Sequence, residues 1–203
     1  MQTESSISSH PLLDTSGMRW LLPGVSDRRG KIARMIAKGE IIGLRRGLYA
    51  TRSDLDPRGV AGAIYGPSYV SFETALSWHG MIPEGVREIL SATPKRAAYF
   101  ENPLGRFRYL RVPAAVYPVG VALVTDGVLP FLLASPAKAL CDRIAREPDF
   151  RSVAAVRRWL EDARVETAFT LERSVLTDCA ESYGRPAVRW LLRYAEQHLD
   201  LTL

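Results

Sequence analysis

The spacing of apolar residues changes period several times along this 203-residue chain, and that change most constrains its fold. Helical intervals run to about residue 38, strand-like intervals over 41–51, and helical intervals again over 71–79. Successive strands then fill 86–134, and helices fill 135 to the end. Runs of strands set apart from runs of helices, rather than a steady strand–helix alternation, define an α+β fold.

The first third reads as one compact unit. "PLLDTSGMRWLLPG" (11–24) carries apolar residues at helical spacing and stops at Pro23-Gly24. Ser26 is the expected N-cap of a helix that runs to Lys38 and ends at Gly39. Ile32, Met35 and Ile36 give that helix a buried face, with Lys31, Arg34 and Lys38 opposite. "EIIGLRRGLYAT" (40–51) reads as a hairpin with strands at 41–44 and 48–51 and Arg45-Arg46-Gly47 at its tip.

Charge gives this unit a function. Ten Lys and Arg side chains lie between Arg19 and Arg58 against Asp27, Glu40, Asp54 and Asp56, a local excess of +6 (10 − 4) in a chain of net +5. A positive excess confined to one short module is the footprint of a polyanion partner. A basic helix followed at once by a basic-tipped hairpin has the pattern of a winged helix-turn-helix. The expected fold is therefore an N-terminal winged helix-turn-helix over 12–58, followed by a mixed sheet-and-helix body over 61–203 with a helical C-terminus. Arg28, Arg29, Lys31, Arg34 and Lys38 would serve the DNA-reading helix, and Arg45 and Arg46 the wing. One helix-length stretch precedes Ser26, so the module is an abbreviated one. Two copies on a symmetric operator would compensate for its few contacts, which makes a homodimer on double-stranded DNA the expected assembly.

A linker is expected at 52–60. In "SYVSFETALSWHG" (68–80), Pro67 keeps the chain out of helical geometry, and Ser68 or Ser71 can cap a helix over 71–79. Phe72, Ala75, Leu76 and His79 form its inner face, and His79 reads as a core-edge residue rather than a base. "REILSAT", "AAYFEN", "FRYLRV", "VYPVGVALV" and "VLPFLLA" read as strands, with Asp126-Gly127 as a two-residue turn. Phe107 and Tyr109 alternate with Arg106 and Arg108, giving one apolar and one basic face. With Lys95 and Arg96 nearby in sequence, that face is either a second working surface or plain solvated sheet.

Ser135-Pro136 starts a helix whose buried stripe is Ala137, Leu140, Cys141 and Ile144, with Lys138 and Asp142 paired on its exposed side. Three more helices are expected over 151–164, 170–182 and 186–199, with Thr170 as an N-cap, Gly184 as a stop and Pro186 in a first turn. The body is expected to fold without the first 60 residues.

Composition excludes other classes. An apolar share of 47% with 24% charged residues belongs to a globular domain, and no apolar run reaches the ~20 residues a bilayer span needs. MQTESSISSH lacks a basic region and an apolar core, so residues 1–11 read as a polar, disordered tail rather than a secretory signal. Cys141 and Cys179 are read as small buried hydrophobes, and the scattered Cys and His offer no metal spacing. A reducing cytoplasm is the expected compartment, and no metal or cofactor is implied.

"RRGLYAT", "YGPSYVSFETALSWHGMIPE", "SATPKR", "FENPLGRFRYLRVP" and "LASPAKALCD" follow one another in order and at the spacing seen in a known family. The chain resembles the AbiEi-type antitoxins of abortive-infection, type IV toxin–antitoxin systems over about residues 26–145. Ala137 stands where that family's motif usually has Glu. The resemblance implies a non-catalytic cytoplasmic protein whose winged helix binds and represses its own promoter. Its body would counteract a nucleotidyltransferase-type toxin encoded alongside, without requiring a stable complex. Lys95, Arg96, Arg106 and Arg108, joined by Lys138 and Asp142, form the expected antitoxin surface. Two alternatives stand beside this reading: a solitary DNA-binding regulator without a toxin, and a nucleic-acid-processing enzyme. The second lacks a visible carboxylate pair, P-loop or nucleophile elbow.

Overall fold

The structure, a computed structural model, describes residues 10–83, 85–148, 150–166 and 169–202. The expected tail lies outside them except for its last two residues. His10 and Pro11 are tied to Thr51, whose Oγ1 donates to the His10 carbonyl at 2.8 Å.

The chain opens with β1 (Leu12–Asp14), α1 (Thr15–Leu21), α2 (Arg28–Ala37), β2 (Ile42–Arg45) and β3 (Leu48–Ala50). The single helix expected over 11–24 is therefore a strand and then a helix. Leu12, Leu13 and Asp14 pair with Ala50, Tyr49 and Leu48 and complete an antiparallel sheet of order β1-β3-β2. Three residues are too few to declare a period, so the partner strand decides. Asp14 then caps α1, its carboxylate accepting from the Gly17 amide at 2.7 Å. At α2 the cap is Asp27 rather than Ser26, accepting from the Gly30 amide at 2.9 Å. Met35 is buried and Ile32 partly so, but Ile36 is 42% exposed, because it leans over Gly43, which has no side chain to cover it. At the hairpin tip Gly47 holds φ at +78°, a left-handed conformation that favours glycine.

The expected linker is half helix. Asp56 caps α3 (Pro57–Ile64), accepting from the Arg58 amide at 2.8 Å, with Pro57 in the first turn. Gly59 and Gly62 hide this helix from a propensity reading. Its Val60, Ala61 and Ile64 join Leu44, Leu48 and Ala50 of the hairpin and Phe107 and Tyr109 of the body in one buried cluster. A boundary drawn at 58–61 thus divides α3, which is shared by the two parts.

The body contains β4 (Tyr69–Val70), α4 (Phe72–Trp78), β5 (Ile89–Thr93), β6 (Ala98–Asn102), β7 (Gly105–Arg111), β8 (Val121–Val124) and β9 (Phe131–Ala134). It continues through α5 (Pro136–Ile144), α6 (Val153–Asp162), β10 (Leu171–Glu172), α7 (Arg173–Tyr183), α8 (Pro186–His198) and β11 (Leu201–Thr202). The α+β class stands. Six strands form a mixed sheet of order β6-β7-β5-β4-β9-β8, with β5–β7 and β4–β9 parallel. One face packs on α4 to α8, while the Phe107–Tyr109 side packs on α3 and the hairpin.

Two local expectations fail for the same reason, namely that strand pairing overrides local turn chemistry. Val124 pairs with Phe131, so Asp126-Gly127 lies in a 125–130 connection rather than a two-residue turn. Leu171 pairs in parallel with Leu201, so Thr170 caps nothing and α7 begins after Glu172. Gly184 does stop α7, at φ +60°, and Pro186 opens α8. Among the described residues no helix is long and apolar enough to cross a membrane.

Candidate functional site

The seven cations expected to meet DNA do not share one environment. Arg29, Arg34 and Lys38 stand exposed on α2, and Arg46 stands exposed at the hairpin tip. Lys31 and Arg28 are half-buried. Arg45 is tied down: its guanidinium donates to the Ala63 carbonyl at 3.3 Å and to the Arg46 carbonyl at 3.2 Å, clipping the hairpin to the end of α3. The local acids are largely committed. Asp27 caps α2, Asp54 holds Arg52 at 2.5 Å and Asp56 holds Arg58 at 2.7 Å. Glu40 lies 4.0 Å from Lys38. The positive excess therefore falls on Arg29, Arg34 and Arg46, which face solvent and pair with no carboxylate among the described residues.

The second basic surface separates into two. Along β7 the alternation holds, with Phe107 and Tyr109 buried and Arg106 and Arg108 exposed. Lys95 and Arg96 lie beyond the far end of β5, past the Thr93–Arg111 pair, while Arg106 precedes the Ile89–Phe107 pair. Lys95 turns toward the Phe107–Tyr109 side, its ammonium bonded to the Gly66 carbonyl and 5.4 Å from the Tyr65 ring centre. Arg106 and Arg108 instead wall a groove of about 950 Å3 on the other side. Arg87 and Arg146 also line it, with Tyr99 and Trp159 as aromatic walls. The groove is partly neutralised: Arg108 bonds Glu88 at 2.9 Å, Arg106 lies 3.5 Å from Glu101, and Arg143 bonds Glu73 at 2.7 Å.

Lys138 and Asp142 belong to neither surface, which corrects both their expected exposure and their place on an antitoxin surface. They do pair, Nζ to Oδ1 at 2.8 Å, but inside the molecule, with side chains 0% exposed. Nearly all of α5 is buried between the sheet and the C-terminal helices, so this helix has little outer side. Lys138 also donates to the Val116 carbonyl at 2.9 Å and lies 5.6 and 5.2 Å from the ring centres of Tyr69 and Tyr183. Asp142 accepts from the Tyr69 hydroxyl at 2.9 Å, the Ser71 hydroxyl at 2.6 Å and the Tyr183 hydroxyl at 2.6 Å. Its four acceptor directions are thus filled, the condition under which a charge survives burial. Burial, and then the neighbouring carboxylate, hold both tyrosine hydroxyls well above their ordinary value, so they remain donors. Gly120 lets α5 sit this close: at φ +60°, a side chain there would meet Val175 at 2.6 Å and Lys138 at 3.0 Å.

This network explains Ser71. It stands at the N-cap position of α4, yet makes no side-chain cap bond, because its hydroxyl goes to Asp142. His79 is a core-edge residue as expected, its Nε2 2.8 Å from the Ala134 carbonyl. Both cysteines are buried free thiols. Among the described residues no group of His, Cys, Asp or Glu is arranged to hold a metal ion. The arrangement offers binding surfaces and a charged core. No protein-family model matches the chain, and comparison with curated proteins finds no match.

Proposed function

We propose that this protein is a DNA-binding antitoxin that represses its own operon and counteracts a nucleotidyltransferase-type toxin encoded beside it. The carrying observation is the N-terminal unit, where two helices and a hairpin on a β1-β3-β2 sheet present Arg29, Arg34, Lys38 and Arg46 to solvent. We read this order as a winged helix-turn-helix, with α2 as the groove-reading helix and the hairpin as the wing. The antitoxin half rests on the family resemblance. Two of the segments that carry it, around Tyr69–Trp78 and Ser135–Asp142, bond to each other through Tyr69, Ser71 and Asp142. They are therefore the framework of the body, and the working surface lies elsewhere, on the Arg106–Arg108 wall of the groove.

Mobility shifts on the DNA upstream of the gene test the reading. Wild-type affinity falls with salt, and each phosphate contact contributes about −0.9 to the log–log slope. Arg34→Ala with Arg46→Ala is expected to weaken binding about tenfold or more and to flatten the slope by about 2. Unchanged affinity and slope would remove DNA binding from this unit.

A further inference from the structure

The groove of about 950 Å3 has a sheet floor and a helical wall. Strand pairing builds the floor. Tyr99 of β6 stands opposite Arg108 of β7, and Arg108 opposite Leu90 of β5, so the three side chains form one row on one face. The Arg108 guanidinium lies 5.5 Å from the Tyr99 ring centre, and Tyr99 remains 49% exposed. Trp159 of α6 lines the helical wall, half-buried, with the Arg143 guanidinium 5.1 Å from its ring centre. A second cleft of about 300 Å3 adjoins the groove and shares Phe72, Arg146 and Glu147 with it. It runs past the end of β7 to the turn between α7 and α8, where Arg111 and Arg185 line it. Arg106, Arg108 and Arg143 are paired with Glu101, Glu88 and Glu73. Arg87, Arg111, Arg146 and Arg185 are exposed and pair with no carboxylate among the described residues.

We propose that groove and cleft form one track for single-stranded nucleic acid. Its unpaired bases stack on Tyr99 and Trp159, and its phosphates meet Arg87, Arg146, Arg111 and Arg185. Such a strand is the partner of the Arg106–Arg108 wall, a step that rests on the reading of that wall as the body's working surface. Four uncompensated cations along a concave surface favour a polyanion, because low-dielectric walls focus their field. The aromatic lining then selects among polyanions. A duplex keeps its bases stacked inside and brings only phosphates to Tyr99, whereas an unpaired base offers a π-face to the ring. The paired arginines serve the same end. Glu88 and Glu73 hold Arg108 and Arg143 beside the two rings, so each ring is backed by a fixed guanidinium and less order is lost on binding.

Fluorescence anisotropy with labelled oligouridylate and oligodeoxythymidylate, each of about ten nucleotides, measures binding. Full-length Arg34→Ala/Arg46→Ala serves as the parent, so that the N-terminal unit does not dominate the signal. Saturable binding of either oligomer, weakening with salt, is expected, and an unlabelled duplex of the same length is expected to compete poorly. Stronger binding of the ribo-oligomer supports the track and adds a contact to the 2′-hydroxyl. Tyr99→Leu keeps apolar bulk at an exposed strand position and is expected to weaken binding about tenfold. Arg87→Ala with Arg146→Ala is expected to flatten the log–log salt slope by about 1.4, two phosphates at about 0.7 each. Circular dichroism verifies that each variant is folded. The proposal is overturned if neither oligomer saturates, if the duplex competes equally, or if Tyr99→Leu and the Arg87/Arg146 variant both bind as the parent does. Growth of cells carrying the proposed toxin reads the wall separately. If Arg106→Ala/Arg108→Ala fails to restore growth although the parent binds no oligomer, the wall serves a protein partner and the track is overturned. Oligomer binding by the parent, with growth restored normally by that variant, supports the track and removes the antitoxin reading of the wall.

Discussion

Asp142→Ala is expected to destabilise the protein by about 3–5 kcal/mol, the usual cost of removing one partner of a buried ion pair. The substitution leaves the Lys138 ammonium buried with the Val116 carbonyl as its one hydrogen-bond acceptor, and takes the acceptor from Tyr69, Ser71 and Tyr183. In a chain of this length each kcal/mol moves the midpoint by about 2–4 °C, so unfolding should occur about 10 °C or more below wild type. Lys138→Met is expected to cost clearly less, because Asp142 keeps three hydroxyl donors when the ammonium is gone. Asp142→Asn, which conserves volume, should resemble Asp142→Ala more than wild type. Urea titrations followed by circular dichroism measure all three. A Lys138→Met cost equal to or above that of Asp142→Ala would show that the carboxylate does not organise this core.

Alkaline pH should dismantle the same core. Burial raises the hydroxyls of Tyr69 and Tyr183, with Asp142 as the next cause, and burial also raises Tyr109, whose hydroxyl donates to the Ala61 carbonyl at 2.7 Å. Above the ordinary value of 10.0 the unfolded chain releases these protons while the folded chain keeps them. The folded state then binds more protons, so stability falls as pH rises, by about 1.4 kcal/mol per pH unit for each tyrosine. Three such groups give about 4 kcal/mol per unit above pH 10. The Cys141 thiol, raised chiefly by burial, adds a smaller loss that begins near its ordinary 9.0. Below pH 9 these groups contribute a constant stability. Urea midpoints from pH 8 to 11 check the slope, and Tyr69→Phe should reduce the tyrosine part of it by about a third. A flat profile through pH 11 would mean that these tyrosines ionise freely in the folded state.

Much of the architecture was legible because strong local signals agreed with the final packing. Ser135-Pro136 starts α5, Gly184 stops α7, and the Phe107–Tyr109 alternation faces the interior as its period requires. What escaped depended on partners distant in sequence. β1 exists because β3 has an edge to fill, and β10 because Leu201 lies beside Leu171. The buried network is the clearest instance. Lys138 and Asp142 were visible as an i, i+4 pair, but such pairs usually face water. A sign of burial was present in "PAKALCDRI", whose apolar residues leave little outer arc for a charged pair. Tyr69, Ser71 and Tyr183 carried no such sign, being 73, 71 and 41 residues from the carboxylate they bind. On the N-terminal unit, the charge excess was legible in sequence. The neutralisation of Arg52 and Arg58 and the tethering of Arg45 required coordinates.

The two proposed roles are most directly separated in one strain that carries the proposed neighbouring toxin gene under inducible control and a reporter on the protein's own promoter. Full-length Arg34→Ala/Arg46→Ala is expected to lose repression while still restoring growth. Arg106→Ala/Arg108→Ala, on the groove wall, is expected to repress normally while failing to restore growth. Full repression by the Arg34/Arg46 variant would contradict the account at its centre.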